Sequence, residues 1–99
     1  MAKATLLLEF KAIQGDLLIQ MVLWRLPRPS RDRPHGIKYR LYLGRRGRTL
    51  VRYDNEAGKG GHRHVGPAET EVPYAFSTVD GLLEDFRTEC EQHGWRWRE

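Results

Sequence analysis

His62 and His64 lie in the chemically most varied part of the chain, residues 53–66. Residues two apart in an extended segment point the same way, and imidazole titrates close to neutral pH, so this pair could accept and donate protons. Lys59 and Arg63 add positive charge, and the glycines of the segment let backbone N–H groups approach an anion. These residue types predict a site that handles phosphate.

Three interpretations of the histidine pair stay open. In the first, one histidine takes the proton of an RNA 2′-hydroxyl while cationic side chains stabilise charge on phosphorus. In the second, the loop is structural and its polar side chains bond their own backbone. A metal site is the third, but it needs three or four ligands, and the other candidates are distant in sequence: His35, His93, Asp54 and Glu56. We predict no metal and no cofactor.

Charge is segregated along the chain, whose overall net charge is +4. Residues 25–66 hold twelve Lys or Arg and three Asp or Glu, a net charge of +9, whereas residues 67–93 have a net charge of −6. An arginine-rich segment suits a polyphosphate, because guanidinium groups match phosphate oxygens and binding releases condensed counterions. Composition alone leaves both nucleic-acid binding and a merely solvated surface open. A nucleotide-triphosphatase is disfavoured because the Walker pattern is absent.

Residues beside the histidine segment add candidate RNA contacts. Arg40 and Arg52 could contact phosphate, and Tyr39 could stack on a base, although an aromatic residue in a strand more often belongs to the core. Asp54 and Glu56 are predicted to support the site.

The elements that must position these residues are strands and one helix. Alternating apolar residues predict four strands within residues 3–54, with turns near residues 14–16 and 44–47. Residues 55–75 have no sustained period and contain several glycines and prolines, which predicts a long loop. Apolar residues at helical spacing after Ser77 and Thr78 predict an amphipathic helix over residues 78–92.

The predicted fold is α+β, a single domain of residues 1–99 in which a four-stranded antiparallel meander carries one C-terminal helix. The predicted core consists of Leu6, Leu8, Phe10, Leu23, Leu41, Val51, Leu82, Leu83 and Phe86. A single cysteine, Cys90, excludes an internal disulfide. No stretch approaches the roughly 20 apolar residues of a membrane helix, so we expect a cytoplasmic protein without membrane contact.

Three motifs resemble those of a known family. They are His35-Gly36-Ile37-Lys38-Tyr39-Arg40-Leu41, then Tyr-Asp-Asn-Glu with Gly-Lys-Gly-x-His-Arg-His over residues 53–64, and Pro73-Tyr74-Ala75-Phe76 ahead of Leu82-Leu83-Glu84-Asp85-Phe86. Together they resemble the TumE family of small bacterial toxins over most of the chain. The resemblance implies a toxin of a two-gene toxin–antitoxin module, neutralised by a partner that is typically a helix-turn-helix DNA binder. Gly61 departs from the family pattern, where a polar residue such as Asp or His is expected.

Two hypotheses of function follow. In the first, the chain is the toxin of a type II module and acts as a metal-independent endoribonuclease through His62 and His64. In the second, it is a non-catalytic RNA- or DNA-binding module that acts by occlusion or as an operon partner protein. We expect an antitoxin to cover the basic strands rather than an exposed tail containing Trp95 and Trp97. Homodimer formation is left open.

Overall fold

The computed structural model describes residues 3–31, 33–55 and 60–97. They form one antiparallel sheet, in which each strand pairs with the next along the chain, and one helix. In chain order the elements are β1 (Thr5–Gln14), β2 (Leu17–Arg25), β3 (Ile37–Arg45), β4 (Arg48–Asp54), β5 (His62–Val65), β6 (Thr70–Pro73) and α1 (Val79–Gln92).

The first two hairpins, β1–β2 and β3–β4, lie where the alternating pattern predicts them. Arg46 and Gly47 both have positive φ, 51° and 78°, at the β3–β4 turn. A type I′ turn requires positive φ at both central residues, and its twist matches that of the strands it joins. These two turn residues therefore set the register of the hairpin that carries Arg40 and Arg52.

The prediction of four strands is wrong, because the sheet has six. Within residues 55–75, predicted to be a loop, His62–Val65 and Thr70–Pro73 form a third hairpin that extends the sheet beyond β4. Each of these strands has four residues, too few to display a period of two. Three of the four side chains of β5 are ionisable and β6 contains threonine, glutamate and proline, so apolar alternation could not reveal them.

The core lies between α1 and one face of the sheet. Alternate residues of β2, β3 and β4 are buried there, and α1 contributes Leu82, Phe86 and Cys90. Of the predicted core, five residues are confirmed as buried: Leu23, Leu41, Val51, Leu82 and Phe86. Leu8 and Leu83 are only partly buried.

Leu6 and Phe10 were predicted to be buried and are exposed instead. Both belong to β1, which forms one edge of the sheet and has a strand neighbour on one side only within the part of the chain that the structure describes. The tail containing Trp95 and Trp97 was predicted to be exposed, and this prediction is also wrong. Trp95 is buried, and Trp97 packs against the core.

The helix begins and ends close to its predicted bounds. Thr78 is the N-cap, and its side-chain oxygen accepts a hydrogen bond from the Gly81 N–H at 2.9 Å. Gly94, with a φ of 98°, follows the last turn in the left-handed conformation typical of a helix C-terminus. Within the described ranges, no helix is long and apolar enough to cross a membrane.

Candidate functional site

The face of the sheet opposite α1, here called the open face, holds two rows of residues on β3 to β6, all of them polar except Pro73. Strand register defines one row as Tyr42, Arg52, His64 and Glu71, and the other as Arg40, Asp54, His62 and Pro73. Directly opposed residues of an antiparallel pair have Cβ atoms about 5 Å apart, so neighbours within a row interact. The third hairpin thus brings the histidines beside the arginines of the second.

His62 and His64 lie on the same face, with ring centroids 6.3 Å apart. His62 Nε2 is 3.1 Å from Glu71 Oε1. His64 Nε2 is 3.7 Å from Asp54 Oδ1 and 3.9 Å from Glu71 Oε2. A carboxylate beside an imidazole holds the orientation of the ring and balances the charge of the imidazolium. The geometry therefore suits proton transfer by two oriented imidazoles.

Arg52, a predicted phosphate ligand, contacts two carboxylates on the same face. Its Nε is 3.0 Å from Asp54 Oδ2, and one terminal nitrogen is 2.7 Å from Glu69 Oε1. Asp54 is buried and lies between Arg52 and His64. Arg52 therefore orients the carboxylate that supports His64, rather than extending into solvent towards a phosphate.

A depression of about 310 Å³ adjoins this cluster. Its charged lining consists of Arg33, Lys38, Arg40, Arg52 and Asp54. Lys38 and Arg40 are exposed, and Arg33 is anchored by the hydrogen bond that its Nε donates to the Asn55 carbonyl at 2.9 Å. Arg33, Lys38 and Arg40 add three cations beside the Arg52–Asp54 pair, so this depression is suited to an anion such as phosphate.

Arg63 does not lie with the histidines, contrary to the sequence interpretation. Strand side chains alternate between faces, so Arg63 points towards α1 and pairs with Glu89, its terminal nitrogen 2.8 Å from Oε2. The Tyr53 hydroxyl donates to the same carboxylate. Burial alone would raise the pKa of Glu89, but the hydrogen bonds from Arg63 and Tyr53 outweigh it and hold that pKa below its usual value. The Arg63–Glu89 ion pair therefore joins β5 to α1.

Tyr39, the predicted base-stacking residue, is also on the helix side of the sheet. It is 2% exposed and stacks on Phe76 with a centroid separation of 5.7 Å. Burial, together with the charge of Asp54, raises the pKa of Tyr39 to about 12. Its ring is part of the core and is not available to a nucleobase. The predicted site residues Lys59 and Glu56 lie outside the described residues.

Asn55 and Gly61 have structural roles that sequence reasoning missed. The Asn55 side chain accepts a hydrogen bond from the Tyr39 N–H at 3.0 Å and donates one to the Ile37 carbonyl at 2.7 Å, which joins the end of β4 to β3. A Cβ on Gly61 would lie 2.4 Å from the Tyr74 carbonyl oxygen. A side chain at position 61 therefore has no room in this chain unless the backbone at Tyr74 shifts.

Glu69 and Glu71 were also missed as site residues, because they fall in the segment predicted to be a loop. Gly66 and Pro67 between the two short runs are a turn signal, and together with the runs they could have indicated a hairpin. Across residues 3–31, 33–55 and 60–97, no three His, Cys, Asp or Glu side chains are grouped so that they could hold a metal ion.

These features define a small α+β protein with an ionisable sheet face. A family model described as Toxin TumE matches residues 2–94, so the chain belongs to the TumE toxin family and the resemblance of its motifs is confirmed. Membership indicates a toxin of a toxin–antitoxin system, whose partner in general is an antitoxin. Comparisons with curated proteins and with solved structures give no match.

Proposed function

We propose that this toxin inhibits growth by cleaving RNA on the open face, without a metal ion. The observation that carries the proposal is that the cationic depression at Lys38 and Arg40 adjoins the His62 and His64 pair on one surface. Neighbouring strands lie about 4.8 Å apart, so β3 and β5 are separated by about 10 Å. A long arginine side chain can hold a phosphate within that interval, beside the imidazoles.

The chemistry requires two proton transfers and a fixed positive charge. One imidazole takes the proton of the ribose 2′-hydroxyl, the 2′-oxygen bonds to phosphorus, and the bond from phosphorus to the 5′-oxygen breaks. The other imidazole, protonated beforehand, gives its proton to the leaving 5′-oxygen. Lys38 and Arg40 stabilise the charge that develops on the phosphoryl oxygens. The products are a 2′,3′-cyclic phosphate and a 5′-hydroxyl end.

Variants of the histidines test this assignment. We expect His62→Ala and His64→Ala to abolish growth inhibition and RNA cleavage, while RNA binding and the melting temperature stay close to those of the parent protein. His93→Ala is the matched control, because His93 lies at the C-cap of α1 on the other layer of the fold. Full toxicity in both site variants, with normal folding, would remove the pair from the mechanism.

A second candidate function is binding of RNA or DNA without cleavage. It is favoured by the burial of His64, which is 8% exposed, and by the contacts of Arg52 with two carboxylates. Under this alternative the cluster is structural, so the histidine variants melt earlier because buried polar groups lose partners. Gel-shift assays would then show RNA that is retarded and intact.

We also propose that the antitoxin is a helix-turn-helix protein that covers the open face and so blocks access of cytoplasmic RNA. Exposed Lys38 and Arg40 would pair with acidic residues of the partner. Charge reversal at Lys38 and Arg40 should reduce co-purification with the antitoxin, whereas Arg87→Glu on the exposed side of α1 should not. Loss of the complex with the α1 variant alone would place the antitoxin on the helix layer instead.

A further inference from the structure

The two edges of the sheet differ in how well they are protected from pairing with another strand. The edge strand β6 has four residues and ends at Pro73, which has no N–H to donate. The other edge strand, β1, has ten residues and contains no proline. Its outer backbone groups face no strand among the described residues, so β1 presents a template for strand addition.

The side chains of β1 are unusually apolar for a free edge. Leu6, Leu7, Phe10 and Ile13 are exposed by 43%, 39%, 40% and 69%. On the helix side, Phe10 and Ala12 also line a groove of about 640 Å³ that reaches Trp97. Exposed apolar surface rimmed by polar groups is typical of a protein interaction site.

We propose that β1 pairs antiparallel with β1 of a second copy of this chain, in the register centred on Phe10. Two copies related by a two-fold axis perpendicular to the sheet keep the same faces on the same side. Residues that lie opposite each other must then point to the same face, so their residue numbers differ by an even number. In the register centred on Phe10, Glu9 of each copy lies opposite Lys11 of the other. Leu8 lies opposite Ala12, and Ile13 opposite the Leu6–Leu7 bulge.

The neighbouring symmetric registers are electrostatically unfavourable. Centring the pair on Glu9 opposes two carboxylates, and centring it on Lys11 opposes two ammonium groups. Opposite charges across strands are stabilising and like charges are destabilising, so the sequence of β1 favours the Phe10 register over both of its neighbours. Dimerisation then buries the exposed leucines and joins two six-stranded sheets into one of twelve strands, with both open faces on the same side.

Charge reversal tests this register independently of folding, since Glu9 and Lys11 are both exposed. In sedimentation velocity we expect the purified full-length chain to be a dimer. Glu9→Lys and Lys11→Glu should each weaken dimerisation by about tenfold or more, because two cross-strand attractions become repulsions. The double variant Glu9→Lys/Lys11→Glu should dimerise like the parent chain, because each pair regains opposite charges.

Mixing the two single variants is the sharper experiment. A copy with Glu9→Lys presents two lysines to two carboxylates of a copy with Lys11→Glu, so the mixture should form heterodimers at concentrations at which each variant alone dimerises only weakly. Circular dichroism should show the same fold in every variant. If one does not fold, Glu9→Gln and Lys11→Gln should each still weaken the dimer. A parent chain that is monomeric throughout, a single variant that dimerises normally, or a mixture that stays monomeric would overturn the proposal.

Discussion

The Arg63–Glu89 pair should control both the stability of the protein and the position of the histidines. It joins β5, which carries His62 and His64, to α1. Glu89→Gln keeps the shape of the side chain but removes the charge that holds Arg63. We expect lower thermal stability and lower toxicity from this one change.

The size of the effect follows from the environment of the pair. Hydrogen bonds to charged groups contribute about 1.5–3 kcal/mol, but the Arg63 side chain is 32% exposed and solvent screens part of that interaction. We therefore expect a loss of about 1–2 kcal/mol in the free energy of unfolding. For a chain of about this size each kcal/mol lowers the melting temperature by about 4–8 °C. The exposed Glu91→Gln on the same helix is the matched control.

The same pair predicts a pH dependence of stability. The pKa of Glu89 is lower in the folded protein than its usual value of 4.5. Its stabilising contribution is therefore complete above pH 4.5 and is lost as the pH falls through the folded-state pKa. Melting curves of the parent protein and Glu89→Gln should converge in that acidic window. Equal stability of the Glu89→Gln, Glu91→Gln and parent proteins at neutral pH would refute the reasoning.

Three further predictions concern other parts of the molecule. Gly61→Ala should lower the free energy of unfolding by about 1–3 kcal/mol in denaturant titrations, because its Cβ would collide with the Tyr74 carbonyl. Cys90 is fully buried and burial raises the pKa of its thiol to about 12, so a thiol reagent should modify it only on unfolding, as mass spectrometry would show. The double variant Lys38→Ala/Arg40→Ala should bind RNA with a weaker salt dependence. The slope of the logarithm of the binding constant against the logarithm of salt concentration should fall in magnitude by about two, one for each lost phosphate contact.

Apolar alternation and helical spacing predicted the elements that cover the core. They located the first two hairpins and the helix, because those segments bury one face and leave the other in water. They could not locate β5 and β6, which are short and whose open-face residues are His62, His64, Glu71 and Pro73, none of them a typical apolar strand residue. The extended conformation that places His62 and His64 on one face also places Arg63 on the other. The sequence interpretation applied this alternation to the two histidines but not to Arg63, which was assigned to the histidine site.

The exposure of β1 shows a different limit of sequence reasoning. Leu6 and Phe10 have the residue types of a core strand, and the exposure of Phe10 follows from the position of β1 at the sheet edge. For Leu6 the bulge between Leu6 and Leu8 adds to this, because it pairs Leu6 with Trp24 and so turns it away from the face of Leu23. The order of strands is a property of the whole fold, which local spacing does not contain. The pairing of His62 with Glu71 has the same origin, because it depends on the register of β6.

Cleavage of a matched pair of oligonucleotides tests the central claim most directly. The substrates are an RNA that is shortened in cells expressing the toxin and the same RNA with 2′-O-methyl groups at the positions where it is shortened, both incubated with purified protein and chelator. The account predicts that the parent protein and His93→Ala cut the first substrate to cyclic phosphate ends, that neither cuts the second, and that His62→Ala and His64→Ala cut neither. RNA left intact by the parent protein, or methylated RNA cut at the same rate, would contradict it.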